Sequence, residues 1–157
     1  MKIEFWSIGK PHDSSIKEAI EDYTKRIVKY SAVKWEIMPV PKNAGLMSEK
    51  DLKKAEGKML LEKIEKEDWL IALDEYGKEM GSIGLSDYII RQGNMGVKKI
   101  IFLIGGAFGL DEAVLQRANY TWSLSKLTFP HQLVRLILAE QVYRAYTIIK
   151  NEKYHHR

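Results

Sequence analysis

Apolar and polar positions follow different rhythms along this chain, and each change of rhythm marks a new element. Lys2 to Ile8 is a short, mostly apolar run closed by the turn signal Gly9-Lys10-Pro11, which predicts a strand. From Ser14 to Tyr30 the apolar residues Ile16, Ile20, Tyr23 and Ile27 recur at steps of four, three and four, the spacing of one helix face. Val33 to Met38 alternates apolar with polar residues as a half-buried strand does, and Pro39 and Pro41 close it. After a loop from Lys42 to Met47, Ser48 with Asp51 reads as a capping pair opening a charged helix to about Lys66. Its stripe of Leu52, Ala55, Met59 and Leu60 is narrow.

The second half reads differently. Trp69 to Leu73 and Ile100 to Ile104 are continuous apolar runs, the mark of strands covered on both faces in a parallel sheet. Between them a helix is expected over Ile83 to Gln92, with Ser82 as its N-cap. A short helix is expected near Leu110, with Asp111 and Glu112 in its first turn, where acids suit the helix dipole. Tyr120 to Ser125 returns as a strand, and Pro130 to Lys150 forms the longest helix. Strands and helices alternate throughout, so the expected fold is a single three-layer α/β domain over residues 1–157 with a mainly parallel sheet. In such a domain the ligand site lies at the carboxyl ends of the strands.

Composition narrows the function. The 157 residues suffice for one core, and 45% hydrophobic with 29% charged residues is ordinary for a folded domain. There is no cysteine, which removes thiolate chemistry and disulfides and fits a reducing compartment. No export signal or membrane-length apolar stretch is present, so the expectation is a cytoplasmic protein without a membrane partner. The net charge of +4 is unevenly placed: residues 126–157 hold six Lys or Arg against two acids, whereas the first 125 residues hold 19 of each sign. A basic segment on a neutral body suits a polyanion partner, although a solvated helix would carry the same charge.

Candidate chemistry gathers at three late strand ends. The first is Leu73-Asp74-Glu75-Tyr76-Gly77; the second is Ile104-Gly105-Gly106-Ala107-Phe108-Gly109-Leu110, where glycines let backbone approach a ligand ahead of a helix. The second is neither a dinucleotide fingerprint nor a P-loop, and a tight strand-to-helix turn would look the same. The third is Ser123 to Gln132, leading into the last helix. On that helix His131 and Arg135 share a face, and Glu140 and Arg144 share the opposite one, since nine residues turn an ideal helix by about 180°. If both pairs serve one site, they must come from two subunits. The chain ends Tyr154-His155-His156-Arg157, an aromatic, two imidazoles and a guanidinium of the kind that stack on bases and contact phosphate. No spacing of ligands predicts a metal site.

The start MKIEFWSIGK, the middle LIALDEYGKEMGS, the glycine segment FLIGGAFGL and the run SLSKLTFPHQLVRLILAEQVYRAYTIIKNEKYHHR resemble the RlmH family over essentially the whole chain. These are SPOUT-class methyltransferases that methylate N3 of a pseudouridine in the large-subunit ribosomal RNA of bacteria. The resemblance implies a trefoil-knotted α/β fold, a homodimer, large-subunit rRNA within the assembled ribosome as partner, and S-adenosyl-L-methionine as cofactor. It places the cofactor against Leu73, Gly105, Gly106, Gly109, Leu124, Ser125, Lys126, Leu127, Thr128 and Phe129, largely through backbone groups. It places His131, Arg135, Glu140, Arg144, Tyr154 and His155 near the reacting base, with the tail 151–157 contributing to the active site. The pattern departs at Phe108, on the rim of the glycine loop. Three alternatives stand beside this expectation: a SPOUT enzyme for another RNA position such as a ribose 2'-hydroxyl, a noncatalytic ribosome-binding module, and a flavodoxin-like electron carrier.

Overall fold

A computed structural model describes residues 1–156. Five strands, β1 (Lys2–Ile8), β2 (Val33–Met38), β3 (Trp69–Glu79), β4 (Lys99–Ile104) and β5 (Tyr120–Ser123), form one sheet in the order β2-β1-β4-β3-β5. Every pairing between them is parallel, so the mainly parallel sheet expected from the sequence is wholly so. The helices are α1 (Lys17–Val28), α2 (Glu49–Lys63), α3 (Ser82–Asn94), α4 (Glu112–Arg117) and α5 (His131–Ile149), with a 3-10 turn at Ala44–Leu46.

Strand side chains alternate faces, and that alternation divides the core in two. Ile3, Phe5, Ile71, Ile100 and Phe102 meet Ile27 of α1, Leu85 of α3 and Leu138 and Val142 of α5. The intervening residues Trp6, Ile8, Leu70, Ala72, Ile101 and Leu103 meet Leu60 of α2 and Val114 of α4. The result is three layers, with the continuous apolar runs of β3 and β4 buried on both faces. No helix among the described residues is long and apolar enough to cross a membrane.

Three local expectations change. Ser82 is the first residue of α3 rather than its cap; Gly81 caps the helix, and the Ser82 hydroxyl donates to Gln141 Oε1 on α5 at 2.6 Å. The buried stripe of α2 is Leu52, Glu56, Gly57 and Leu60, so a carboxyl stands where Ala55 was expected. Strand β3 extends to Glu79, because Leu73 and Lys78 both register on Trp122 of β5 and the four residues between them leave the ladder as a bulge. The capping expectations at Ser48 and Asp111 hold: Ser48 Oγ accepts from the Asp51 amide at 3.1 Å, and Asp111 Oδ2 accepts from the Ala113 amide at 3.4 Å.

Candidate active site

The carboxyl ends of β3 and β4 and the loop after β5 enclose a cleft of about 1020 Å3. Each wall is held by local chemistry. After β4 the chain turns at Gly109, whose φ of +85° is a left-handed conformation, and the Gly109 amide donates to the Gly106 carbonyl at 3.1 Å. A β-carbon on Gly105 would stand 2.9 Å from the Gly109 carbonyl carbon and from Leu110 Cγ. One on Gly106 would stand 2.6 Å from both carboxyl oxygens of Glu56. The glycines are thus required by what packs behind the loop. After β5, Ser123 Oγ donates to the Ser125 carbonyl at 2.9 Å, and the Leu127 amide donates to Ser125 Oγ at 3.0 Å. Thr128 Oγ1 then donates to Glu75 Oε2 at 3.2 Å, joining this loop to the β3 bulge.

Nine of the ten residues expected to hold a cofactor line this cleft: Leu73, Gly105, Gly106, Gly109, Leu124, Ser125, Leu127, Thr128 and Phe129. Lys126 does not; it is exposed and borders an adjoining depression with Glu75, Tyr76, Gly77, Glu79 and Thr128. His131 lines the cleft from the first turn of α5. Burial pushes its pKa down, the nearby Gly105 backbone opposes that, and Arg135 adds to the fall. A neutral imidazole facing a cleft is a competent proton acceptor.

The remaining expected residues lie elsewhere. Arg135 is only 1% exposed; its Nε donates to Ser7 Oγ at 3.0 Å and its Nη1 lies 3.3 Å from His12 Nδ1. Nε and Nη1 thus face Ser7 and His12 beside the end of β1, and Arg135 does not line the cleft. Glu140, Arg144, Tyr154 and His155 gather in a second cluster, none of them lining the cleft. There Glu140 Oε1 accepts from Arg144 Nε at 2.9 Å and from the Tyr154 hydroxyl at 3.0 Å, and Arg144 Nη1 lies 3.2 Å from His155 Nδ1. The Arg144 guanidinium also stands over the Tyr154 ring, 4.7 Å from its centre. Burial, with bonds to Tyr23 and Glu140, raises the Tyr154 pKa. The two faces of α5 therefore carry two separate groups, and the expected role of Arg157 lies outside the described residues.

Sequence reading missed several residues of the cleft. Trp122 lines it, and its indole N–H is buried without a partner among the described residues. Glu56 sits 3% exposed beneath Gly106, its Oε2 likewise without a partner among them, and burial raises its pKa. A signal for Glu56 was present: it lies four residues from both Leu52 and Leu60, in register with the apolar stripe. Lys50 and Lys53 of α2 also reach the rim, and their contribution is visible only once α2 is placed beside the glycine loop.

The lining suits a flat, partly apolar ligand with a positive end. Leu73, Ile104, Leu124, Phe129 and Val134 supply apolar surface, and the loops supply backbone. Five acids, Glu49, Asp74, Glu75, Asp111 and Glu112, outnumber the two lysines. A nucleoside carrying a sulfonium and an ammonium group fits that donor set, the nucleoside against the loops and the cationic end toward the acids.

Comparison with known proteins agrees with this geometry. The family model described as "Predicted SPOUT methyltransferase" matches residues 1–155. Ribosomal RNA large subunit methyltransferase H of Cytophaga hutchinsonii is 47% identical over 156 residues, covering 99% of this chain and all of that protein. The protein of the same name from Flavobacterium johnsoniae is 43% identical over 157 residues and covers both chains fully. Ribosomal RNA large subunit methyltransferase H 1 of Clostridium perfringens is 44% identical over 158 residues, covering 99% of each. The wholly parallel three-layer domain with its cleft at the strand ends, matched over nearly all its length, belongs to the SPOUT methyltransferase family, whose trefoil-knotted α/β architecture it carries.

Proposed function

We propose that the chain is a homodimeric, cytoplasmic enzyme that methylates N3 of a pseudouridine in large-subunit ribosomal RNA, using S-adenosyl-L-methionine. The observation that carries this reading is the backbone-walled, acid-rimmed cleft formed by Leu73, the Gly105–Gly109 loop and the Leu124–Phe129 loop, in a chain whose similar proteins are named for the large-subunit RNA. The substrate follows the names of those relatives; the donor follows the family and the charge of the cleft.

When bound, S-adenosyl-L-methionine supplies an electrophilic methyl group on a sulfonium. The loops after β4 and β5 would hold its nucleoside, largely through backbone, and the acids of the lining would face its positive charge. Hydrogen bonds of Ser123, Ser125 and Thr128 tie the loop after β5 to itself and to the β3 bulge, and with the walls so placed most of the acceleration would come from alignment of the reacting atoms. N3 of the target base carries a proton that must leave as the methyl arrives. His131, neutral and in the cleft, accepts it from within the chain; His155 of a second copy is the alternative acceptor, once its Nδ1 is released from Arg144. The second copy enters because Glu140, Arg144, Tyr154 and His155 are grouped away from the cleft of their own chain, so they serve chemistry only in a neighbour's.

The test is methyl transfer from labelled donor to large ribosomal subunits and to protein-free large-subunit RNA, with the modified nucleotide mapped by mass spectrometry of nuclease fragments. Label on N3 of a pseudouridine, with intact subunits preferred, is the expected result. Label on a ribose 2'-oxygen, or none at all, refutes the assignment.

A further inference from the structure

Tyr76 is the aromatic that the folded chain leaves most open: 88% of its surface is exposed, although it lines both the cleft and the adjoining depression. Its position is built. The four residues Asp74 to Gly77 leave the β3–β5 ladder between Leu73 and Lys78, which register on the same partner, Trp122. On one side of Tyr76, Glu75 accepts a hydrogen bond from Thr128. On the other, Gly77 lies so close to β5 that a β-carbon there would stand 2.7 Å from the Thr121 carbonyl oxygen. A bulge pinned at both flanks presents a ring to solvent at the mouth of the site, whereas a bulge free to collapse would fold an apolar ring of that size onto the protein.

Two further features mark what the ring faces. Leu127 and Phe108, 69% and 48% exposed, stand on the same cleft, so its mouth is apolar at three points. Lys50 and Lys53 approach it from α2, and Lys126 lies beside Tyr76 in the depression; none of the three has a salt-bridge partner among the described residues. Acids share the cleft lining with Lys50 and Lys53, and Glu75 and Glu79 share the depression with Lys126, yet none of them holds these lysines in a salt bridge. An aromatic plate with one cation beside it in the depression, Lys126, and two more on the same cleft, Lys50 and Lys53, is chemistry that recognises a single-stranded nucleotide: the ring stacks on the base and the ammonium groups meet phosphate.

We propose that Tyr76 is the stacking platform for a nucleobase of the substrate RNA, with Lys50, Lys53 and Lys126 contacting the adjoining phosphates. The inference rests on the reading of the cleft as an RNA methylation site. Stacking formed equally before and during methyl transfer lowers KM and leaves kcat alone, so its loss reads as a KM effect.

The experiment measures methylation of large ribosomal subunits by the full chain, alongside calorimetry with S-adenosyl-L-methionine and the sedimentation state of each variant. Tyr76→Ala is expected to raise KM for subunits about tenfold, with kcat and donor affinity unchanged, and Tyr76→Phe to restore it, because the ring and not the hydroxyl does the stacking. The triple change of Lys50, Lys53 and Lys126 to Gln is expected to reduce the salt dependence of subunit binding. An unchanged KM in Tyr76→Ala overturns the proposal. So does a fall in donor affinity, which would make the ring a cover for the donor, or a change in oligomeric state, which would make it a subunit contact. A wild-type chain that methylates no large-subunit RNA defeats the functional reading itself, a different result from any of these.

Discussion

Both carboxyl oxygens of Glu56 lie 2.6 Å from the point where a β-carbon on Gly106 would stand. The glycine loop after β4 and the buried acid of α2 are therefore a matched pair, one lacking a side chain where the other places its head group. Gly106→Ala is expected to destabilise the fold by about 1–3 kcal/mol and to weaken donor binding, since the loop must move off the carboxyl. Glu56→Ala in the same background opens the space. Thermal melts of the two single variants and the double should then be strongly non-additive, the double recovering most of what Gly106→Ala loses. Additive losses would mean that the contact does not limit the loop.

Glu56 also makes stability depend on pH. Burial raises its folded pKa above the unfolded value of 4.5, so the folded state holds the proton more tightly. Its contribution is complete below the unfolded value and is lost as pH rises through the folded one, at up to about 1.4 kcal/mol per pH unit for a single proton. Glu56→Gln stays neutral and does not share this loss. Denaturant titrations should show the Gln variant gaining on the wild type as pH rises from acid toward neutral. Parallel curves for the two proteins would show that Glu56 does not titrate differently on folding.

Arg135 is expected to matter for the fold and not for RNA. Its guanidinium, buried against Ser7 and His12, leaves a cavity and unpaired polar groups when removed. Arg135→Ala should lower stability by about 2–4 kcal/mol. The slope of subunit affinity against salt should stay as it is, since no phosphate contact is lost. A shallower slope with unchanged stability would return Arg135 to the RNA surface.

How far the sequence carried is clearest at α5. Its length, its start after Pro130 and its two-sidedness were legible from spacing alone, because a helix of 19 residues leaves little freedom in which residues share a face. Which face is wet was not legible. The periodicity that puts Arg135 beside His131 does not say that Ser7 and His12, more than 120 residues earlier, arrive to take its protons. The same limit hid Glu56: its place in the apolar register of α2 was readable, but its function as backing for Gly106 depends on α2 crossing the end of β4. The glycine loop after β4 stood out from its glycines alone, though a tight turn would look the same; that Leu73 and Leu124 to Phe129 join it was implied by the family resemblance, and the structure brings them to one cleft.

In the proton-accepting role proposed for it, His131 would set the pH dependence of the reaction. Burial, aided by Arg135, depresses its pKa below the usual 6.5, so it stays neutral to lower pH than a free imidazole. If it takes the N3 proton, the single-turnover rate holds through neutral pH and falls about tenfold per unit only below its depressed value. His131→Asn should lose about 100- to 10,000-fold in that rate, and its residual activity should lack the acid limb. An acid limb that survives in His131→Asn transfers the role to another group, and His155→Asn becomes the next variant to read.

The C-terminal tail is held before any RNA arrives. Asn151, with φ of +55°, turns the chain back at the end of α5, and the Tyr30 hydroxyl donates to the Glu152 carboxylate at 2.7 and 2.8 Å. Burial and that carboxylate together push the Tyr30 pKa up to about 12, so the hydroxyl remains a donor at any working pH. Beyond it Tyr154 reaches Glu140 and His155 reaches Arg144, both half-buried on α5. Removing one anchor costs about 1 kcal/mol, the usual net value of such a hydrogen bond, which is enough to raise the open population of a short tail several-fold without melting the core. Tyr30→Phe and Tyr154→Phe should each speed amide exchange at 152–155 while leaving exchange in β3 and β4 unchanged. If the tail positions His155 for a partner's cleft, kcat falls in both variants and donor affinity does not. Faster exchange with an unaltered kcat would leave the tail a structural appendage, and unaltered exchange would show that neither anchor holds it.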